Sequence, residues 1–422
     1  MTTGRTECGL QYAIRKSGNA VGYCALGIKC GTRDEDPQWS SGIAHFAEHT
    51  IFKGTDSKSA RTINSYLDAL GGELNAYTTK EEIVLHATVL KEDLSKAASL
   101  LFELAVHPTF PEDEIAVERG VVIDEIHSYK DAPSEEIYDR FEEMLFEGSP
   151  LSRPILGTAT SVRKISRDEL LRFVREKFIP SKMVFTVVSS EEERKVERMI
   201  KSLSTKFFPQ KGAGEGAENA EREKLSTEVS QDIPTFKASQ FDISVNKRNH
   251  QANCIVGGTA PSLYCKQERI ATILLCNILG GPATNSILNS VLREKNGWVY
   301  AAECTYTQYA DSGIASIYIG CDRSNMEKCL KAVDRELAKL RDTLMSDRRL
   351  KAAKKQLLGQ LAVSSDNGET QCLSMCKGLL SYGRVASDQE SRELVMGVSA
   401  EQLRDAARDI FAPEKICRLV WL

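Results

Sequence analysis

Histidine is scarce in this chain, with six in 422 residues, and several larger features are missing altogether. There is no excess of positive charge: the formal net charge is −4, and no run of Lys or Arg breaks the mixed surface. That removes the electrostatic footprint expected of a nucleic-acid binder or of a protein that docks on anionic membrane. No stretch of about 18 apolar residues occurs, so no membrane-spanning helix is expected. The opening MTTGRTECGLQYAIRK has no apolar core behind a basic start, so the expected compartment is the cytoplasm. Cysteine is plentiful at twelve, yet zinc-ribbon spacing is absent, and the thiols scatter through strand-like and helix-like segments. They read as reduced side chains, mostly in the core. Cys372 and Cys376, one helical turn apart in CLSMC, have no further ligands near them in sequence and are read the same way.

What is present is a repeat. The segment ISRDELLRFVREKFIPSKMVFTVVSS from Ile165 resembles VSAEQLRDAARDIFAPEKICRLVWL from Val398 at a constant offset. Ser166 matches Ser399, Leu170 matches Leu403, and Phe178, Pro180 and Lys182 match Phe411, Pro413 and Lys415. Each half therefore closes with a Ser-capped amphipathic helix, a Pro-marked turn and a β-rich strand, as a duplicated domain would. Between the halves, residues 209–232 are rich in Gly, Ala and charge and poor in anything that packs, which predicts a linker. The domains expected are 1–208, a linker over 209–232, and 233–422. Strand runs such as VGYCALGIKCGT (21–32) and EIVLHATVL (82–90) mix with helices such as KEDLSKAASLLFELAVH (91–107). The fold class expected is α+β: two homologous domains, each a mostly antiparallel sheet with helices packed on one face.

Against the scarcity of histidine, GIAHFAEHTIFKGT (42–55) places His45, Glu48 and His49 in one apolar segment. Ser41 is positioned to cap a helix here, and Gly54 to stop it in a left-handed conformation. On that helix His45 and His49 lie roughly 40° apart, with Glu48 beside them. Two imidazoles so placed can grip one Zn²⁺, and Glu48 is better placed to deprotonate the attacking water than to ligate. H-x-x-E-H reverses the commoner H-E-x-x-H helix and is the pattern of inverzincins. Such a site needs another ligand. FPEDEIAVERGVVIDEIHSY (110–129) reads as a helix opened by Pro111 and an acidic first turn, carrying Glu118 and Glu125. Seven residues apart, they fall about 20° short of full register, so one can ligate while the other supports the ligands. His127 lies about 200° from Glu125 and points elsewhere.

With these residues in place the chain resembles the superfamily of pitrilysin, insulin-degrading enzyme and mitochondrial processing peptidase, as a short two-domain member. The resemblance spans nearly the whole chain and rests on HFAEHTIFKGT, ERGVVIDE, the repeat, and GGPATNSILNSVLREKNGWVYAAECTY in the second half. It implies a metalloenzyme LuxS/pitrilysin-like fold and a zinc metalloendopeptidase with one Zn²⁺ per chain. By it, Glu125 is the third ligand beside His45 and His49, Glu48 the general base, and Glu118 a supporting carboxylate. It also implies that a peptide substrate adds to an edge strand at Asn75, Ala76 and Thr78, and that Arg293 and Tyr300 reach the substrate and its oxyanion. The second half has Thr272, Leu275 and Cys276 where the first has His45, Glu48 and His49, so that copy is expected to be degenerate. A homodimer, or a heterodimer with a related chain, is implied in the same way, with neither nucleic acid nor membrane as partner. The rival reading is a non-catalytic scaffold or substrate-binding subunit.

Overall fold

The computed structural model describes residues 1–209, 239–247 and 251–422. The linker expected at 209–232 lies, apart from Pro209, outside the described residues. The first part of the chain runs β1 (Thr2–Arg5), β2 (Gln11–Lys16), β3 (Val21–Ile28), α1 (Ile43–Thr50), α2 (Ala60–Asp68), β4 (Glu73–Thr78) and β5 (Ile83–Leu90). It continues with α3 (Leu94–Val106), α4 (Glu112–Lys130), α5 (Pro133–Leu145), α6 (Ala159–Val162), α7 (Arg167–Lys177), β6 (Met183–Ser189) and α8 (Glu193–Phe207). The second part runs β7 (Asp242–Val245), β8 (Gln251–Ala260), α9 (Lys266–Gly280), β9 (Val299–Gln308), β10 (Gly313–Asp322) and α10 (Met326–Asp342). It ends with α11 (Asp347–Ser364), α12 (Gly368–Tyr382), α13 (Asp388–Gly397), α14 (Ala400–Ile410) and β11 (Cys417–Trp421). None of the described helices is long and apolar enough to cross a membrane.

Two compact units form, and neither is continuous in sequence. The first comprises the described residues of Met1–Ile126, Arg153–Ile233 and Ser364–Val385; the second those of His127–Ser152, Pro234–Val363 and Ala386–Leu422. Their sheets have the same topology. In the first the strand order is β1-β2-β6-β3-β5-β4, in the second β7-β11-β8-β10-β9. In each, one pair is parallel (β2 with β6, β7 with β11) and the pairs that follow are antiparallel. The first unit adds β1 at one edge. The matching ends of the halves also repeat locally: Ser166 caps α7 in a reciprocal box with Glu169, and Ser399 caps α14 in the same way with Gln402.

Helices cover both faces of each sheet, not the single face expected. In the first unit Tyr12, Ile14, Leu26, Ile28, Leu85 and Phe185 project into a core shared with α1, α3 and α7. Their neighbours Ala13, Ala25, Val84, Val184 and Val188 face the other way, onto Cys372, Met375, Cys376, Leu379 and Leu380 of α12. Side chains alternate across a strand, so two covered faces require nearly every position to be apolar; β6 is buried from end to end. The second unit repeats this with α5, whose Ile137, Phe141 and Leu145 pack on Ile255, Leu419 and Trp421. Each unit thus receives one helix from the opposite half of the chain. The cysteines are free and, apart from Cys8 and Cys265, buried, with Cys372 and Cys376 in the α12 interface.

Candidate metal centre

Helix α1 carries three of the polar side chains, and its ends are held differently from the expectation. Ser41 does not cap it. The N-cap is Gly42, at φ +88°, with no side-chain bond of its own. A Cβ there would meet the Leu156 carbonyl oxygen at 2.8 Å and Gly157 Cα at 2.9 Å, so left-handed backbone and close approach both demand glycine. The first-turn amides are satisfied by a residue the sequence reading passed over: Glu35 accepts from Gly42 N at 3.2 Å and from Ala44 N at 3.1 Å. Burial pushes the Glu35 carboxyl up to about 7, against those two amides and Arg153. At the other end Gly54 has φ 162°, which is extended and not a left-handed stop; α1 passes instead into a single tighter turn, Ile51–Lys53. Glycine is needed at 54 for a different reason, because a Cβ would lie 2.8 Å from Thr109 Oγ1 and 3.2 Å from Pro111 Cγ.

That contact registers α1 against the helix bearing the other carboxylates. Thr109 N donates to the Gly54 carbonyl at 3.0 Å, immediately before α4 begins. Phe110, fully buried, takes φ +47°, an uncommon conformation for a bulky residue, while Arg167 Nε holds the carbonyls of Thr109 and Phe110 at 3.0 and 3.1 Å. Anchored there, α4 presents Glu118 and Glu125 on one face toward α1.

The donor atoms converge. His49 Nε2 lies 3.3 Å and His45 Nε2 3.9 Å from Glu125 Oε2, and the two imidazole rings are 4.5 Å apart. Among the described residues His45, His49 and Glu125 are the one group able to hold a metal, each offering an atom within 4.8 Å of the others. Ligands bound at about 2.0–2.1 Å in tetrahedral geometry sit roughly 3.3 Å from one another, so the spacing fits zinc after small side-chain adjustments. The chemistry agrees as well: Glu125 Oε2 is buried with no hydrogen-bond partner, a poor state for a carboxylate oxygen unless a cation satisfies it. Burial, helped by the neighbouring His49, pushes His45 down to about 3, which keeps its imidazole neutral and able to ligate. His49 Nδ1 donates to Glu118 Oε1 at 3.0 Å, leaving Nε2 free toward Glu125.

Glu118 is buried, and Lys53 Nζ sits 2.6 Å from its second oxygen. Burial alone would raise its carboxyl; the bonds from His49 and Lys53 prevail and hold it below the usual range. Lys53 was not singled out from sequence, though its place four residues beyond His49 on the same side of the turn was the available signal. Glu118→Gln is expected to weaken zinc binding about 10- to 100-fold, because it loosens the orientation of His49 without removing a ligand. Competition titration with a chromogenic chelator measures it, and unchanged affinity would remove Glu118 from this role.

Glu48, half-buried, belongs to neither carboxylate group: it accepts from Thr78 Oγ1 at 3.3 Å. Burial raises its carboxyl above the usual range, against the pull of His49 and Thr78. Thr78 lies on β4, the edge strand of its sheet, with Leu74 and Ala76 on the face that packs toward the first core and Asn75 exposed on the other. In the second unit Arg293 is exposed in a π-helical turn, Asn289–Glu294, and the exposed Tyr300 hydroxyl donates to Asp322. On α9, Thr272, Leu275 and Cys276 are buried core positions. His127 is exposed.

The chain matches two models of one family: "Insulinase (Peptidase family M16)" over residues 12–159 and "Peptidase M16 inactive domain" over 164–357. It is 29% identical to the uncharacterized zinc protease YmxG of Bacillus subtilis, over 96% of this chain and 95% of that one. It is also 29% identical to an uncharacterized zinc protease of Streptomyces coelicolor, over 90% and 80%. In fold it is similar to a protease from Helicobacter pylori, with TM-score 0.86 and 20% identity, covering 100% of this chain and 98% of that one. A peptidase M16 inactive domain from Pseudomonas fluorescens follows, with TM-score 0.81 and 18% identity over 100% and 97%.

Proposed function

The chain belongs to the insulinase family, peptidase family M16, and on that premise we propose that it is a zinc-dependent endopeptidase that hydrolyses small or unfolded peptides. The observation that carries this reading is the convergence of His45 Nε2, His49 Nε2 and an otherwise unsatisfied Glu125 Oε2, with a separate carboxylate, Glu48, one residue from His49. Those three side chains would hold the ion. A Zn²⁺ ion bound there would supply Lewis acidity for activating the attacking water and polarising the scissile carbonyl. Glu48 takes the proton of the attacking water and passes it to the leaving amine nitrogen. The Thr78 hydroxyl on Glu48 Oε2 orients the base and leaves Oε1 available for that transfer. An extended peptide pairs with the free edge of β4 through main-chain hydrogen bonds along Asn75, Ala76 and Thr78. Donation by Arg293 and Tyr300 to the carbonyl oxygen as charge develops, and pairing with a second copy or a related chain, belong to the same proposal.

Incubation of the zinc-loaded protein with a mixed peptide library, with and without a chelator, tests it. Cut sites read by mass spectrometry should vanish with the chelator and return with added Zn²⁺. A chain that retains zinc and cuts nothing would instead favour a binding subunit.

A further inference from the structure

We propose that Glu35 is a positioning residue for the metal centre, holding the first turn of α1, and so His45, in register with the β4–β5 hairpin. For turnover the proposal rests on the peptidase reading; for metal binding it does not. The two histidines differ in what orients them. His49 has Glu118 on Nδ1, whereas His45 Nδ1 is buried with no hydrogen-bond partner among protein atoms. Its ring is therefore placed by packing and by the backbone that carries it. That backbone begins one residue earlier at Ala44, whose amide, with that of Gly42, ends on the Glu35 carboxylate.

Glu35 is itself fixed by a buried polar chain. It is 4% exposed, and its carbonyl accepts from Arg153 Nη1. The Arg153 carbonyl in turn accepts from Lys80 Nζ at 2.8 Å, and Lys80 is 3% exposed in the turn between β4 and β5. Backbone bonds run alongside: Thr32 N to Thr79 O at 3.3 Å and Arg33 N to Lys80 O at 3.0 Å, joined by the Arg33–Glu81 ion pair. The hairpin also contributes the Thr78 hydroxyl to Glu48. One connected set of bonds thus ties the strand edge, the helix start and the base together. A shift of the first turn by even about 1 Å would move a ligand whose ring has no other hydrogen-bonded anchor, a displacement of the size that costs about 100-fold in a positioned site.

The test uses full-length protein carrying Glu35→Ala, Glu35→Asp or Glu35→Gln. Readouts are Zn²⁺ affinity, the visible absorption spectrum of the Co²⁺-substituted protein, and kcat and KM on a peptide the wild type cleaves. Glu35→Ala is expected to weaken Zn²⁺ binding about 10- to 100-fold, to alter the Co²⁺ spectrum, and to lower kcat with KM within about twofold. Glu35→Gln keeps an acceptor oxygen in the same place and should restore most of all three. Should Glu35→Ala fail to fold, the shorter Glu35→Asp carries the test and should shift the same quantities in the same direction. Wild-type Zn²⁺ affinity and Co²⁺ spectrum in a folded Ala or Asp variant, with only a lowered Tm, would make Glu35 a helix cap and overturn the proposal. If wild-type protein binds Co²⁺ but cleaves nothing, the peptidase reading fails while the spectra still decide on Glu35.

Discussion

Glu48→Gln keeps its metal and loses its turnover. The carboxylate stands apart from the three converging donors and bonds Thr78, and glutamine retains that acceptor at the same length. Zinc content should therefore stay at the wild-type level, near one ion per chain. What disappears is a group able to take a proton, so kcat/KM on a cleaved peptide is expected to fall on the order of 10²- to 10⁴-fold. The fold should not suffer. Because burial raises the Glu48 carboxyl, the stability tied to its protonated form is present below the ordinary glutamate range and is lost as pH rises through the raised folded value. Burial thus disfavours the ionised form of Glu48 in the metal-free native protein, and the uncharged amide is free of that cost. The Tm of metal-free Glu48→Gln at neutral pH should equal or exceed that of wild type. Full activity in this variant would end the assignment of Glu48 as the base.

Glu125→Ala gives the opposite pattern, with metal and activity lost together. Glu125 supplies the one oxygen in a donor set otherwise made of two imidazoles, and that oxygen has no hydrogen-bond partner to lose. Structural zinc sites with four ligands bind with about 10–16 kcal/mol, so one ligand corresponds to roughly 3–4 kcal/mol, or about 10²- to 10³-fold in affinity. This should exceed the effect of Glu118→Gln, which disturbs only the orientation of His49. Zinc titrations on the two variants decide it: a larger loss for Glu118 than for Glu125 would reverse their roles. The metal-free fold should persist in Glu125→Ala, because the side chain is only half-buried and its Oε2 has no hydrogen-bond partner to lose.

Much of the centre was legible along the chain because its geometry is local. His45, Glu48 and His49 share one short helix, and Glu118 and Glu125 another, so helical periodicity alone places each set on a face. Local signals failed where a bond crosses a loop. Ser41 has the chemistry of a cap and sits beside the helix, but the cap comes from Glu35 across seven residues, in a stretch that carries no periodic signal. Gly54 looked like a left-handed stop, whereas it is glycine because α4 begins against it. Lys53 and Thr78 acquire their partners, Glu118 and Glu48, only when separate elements meet.

The residues by themselves pointed to the duplication and to the clustering of His45, Glu48 and His49 on one helix, since sequence repeats, helical period and ligand type are properties of short segments. Tertiary structure alone decided that α5 and α12 each cover the sheet formed by the opposite half. An apolar stripe states that a helix must be buried without stating against which surface, and with two sheets of like topology in one chain the choice rests on the shape and packing of the face that receives it.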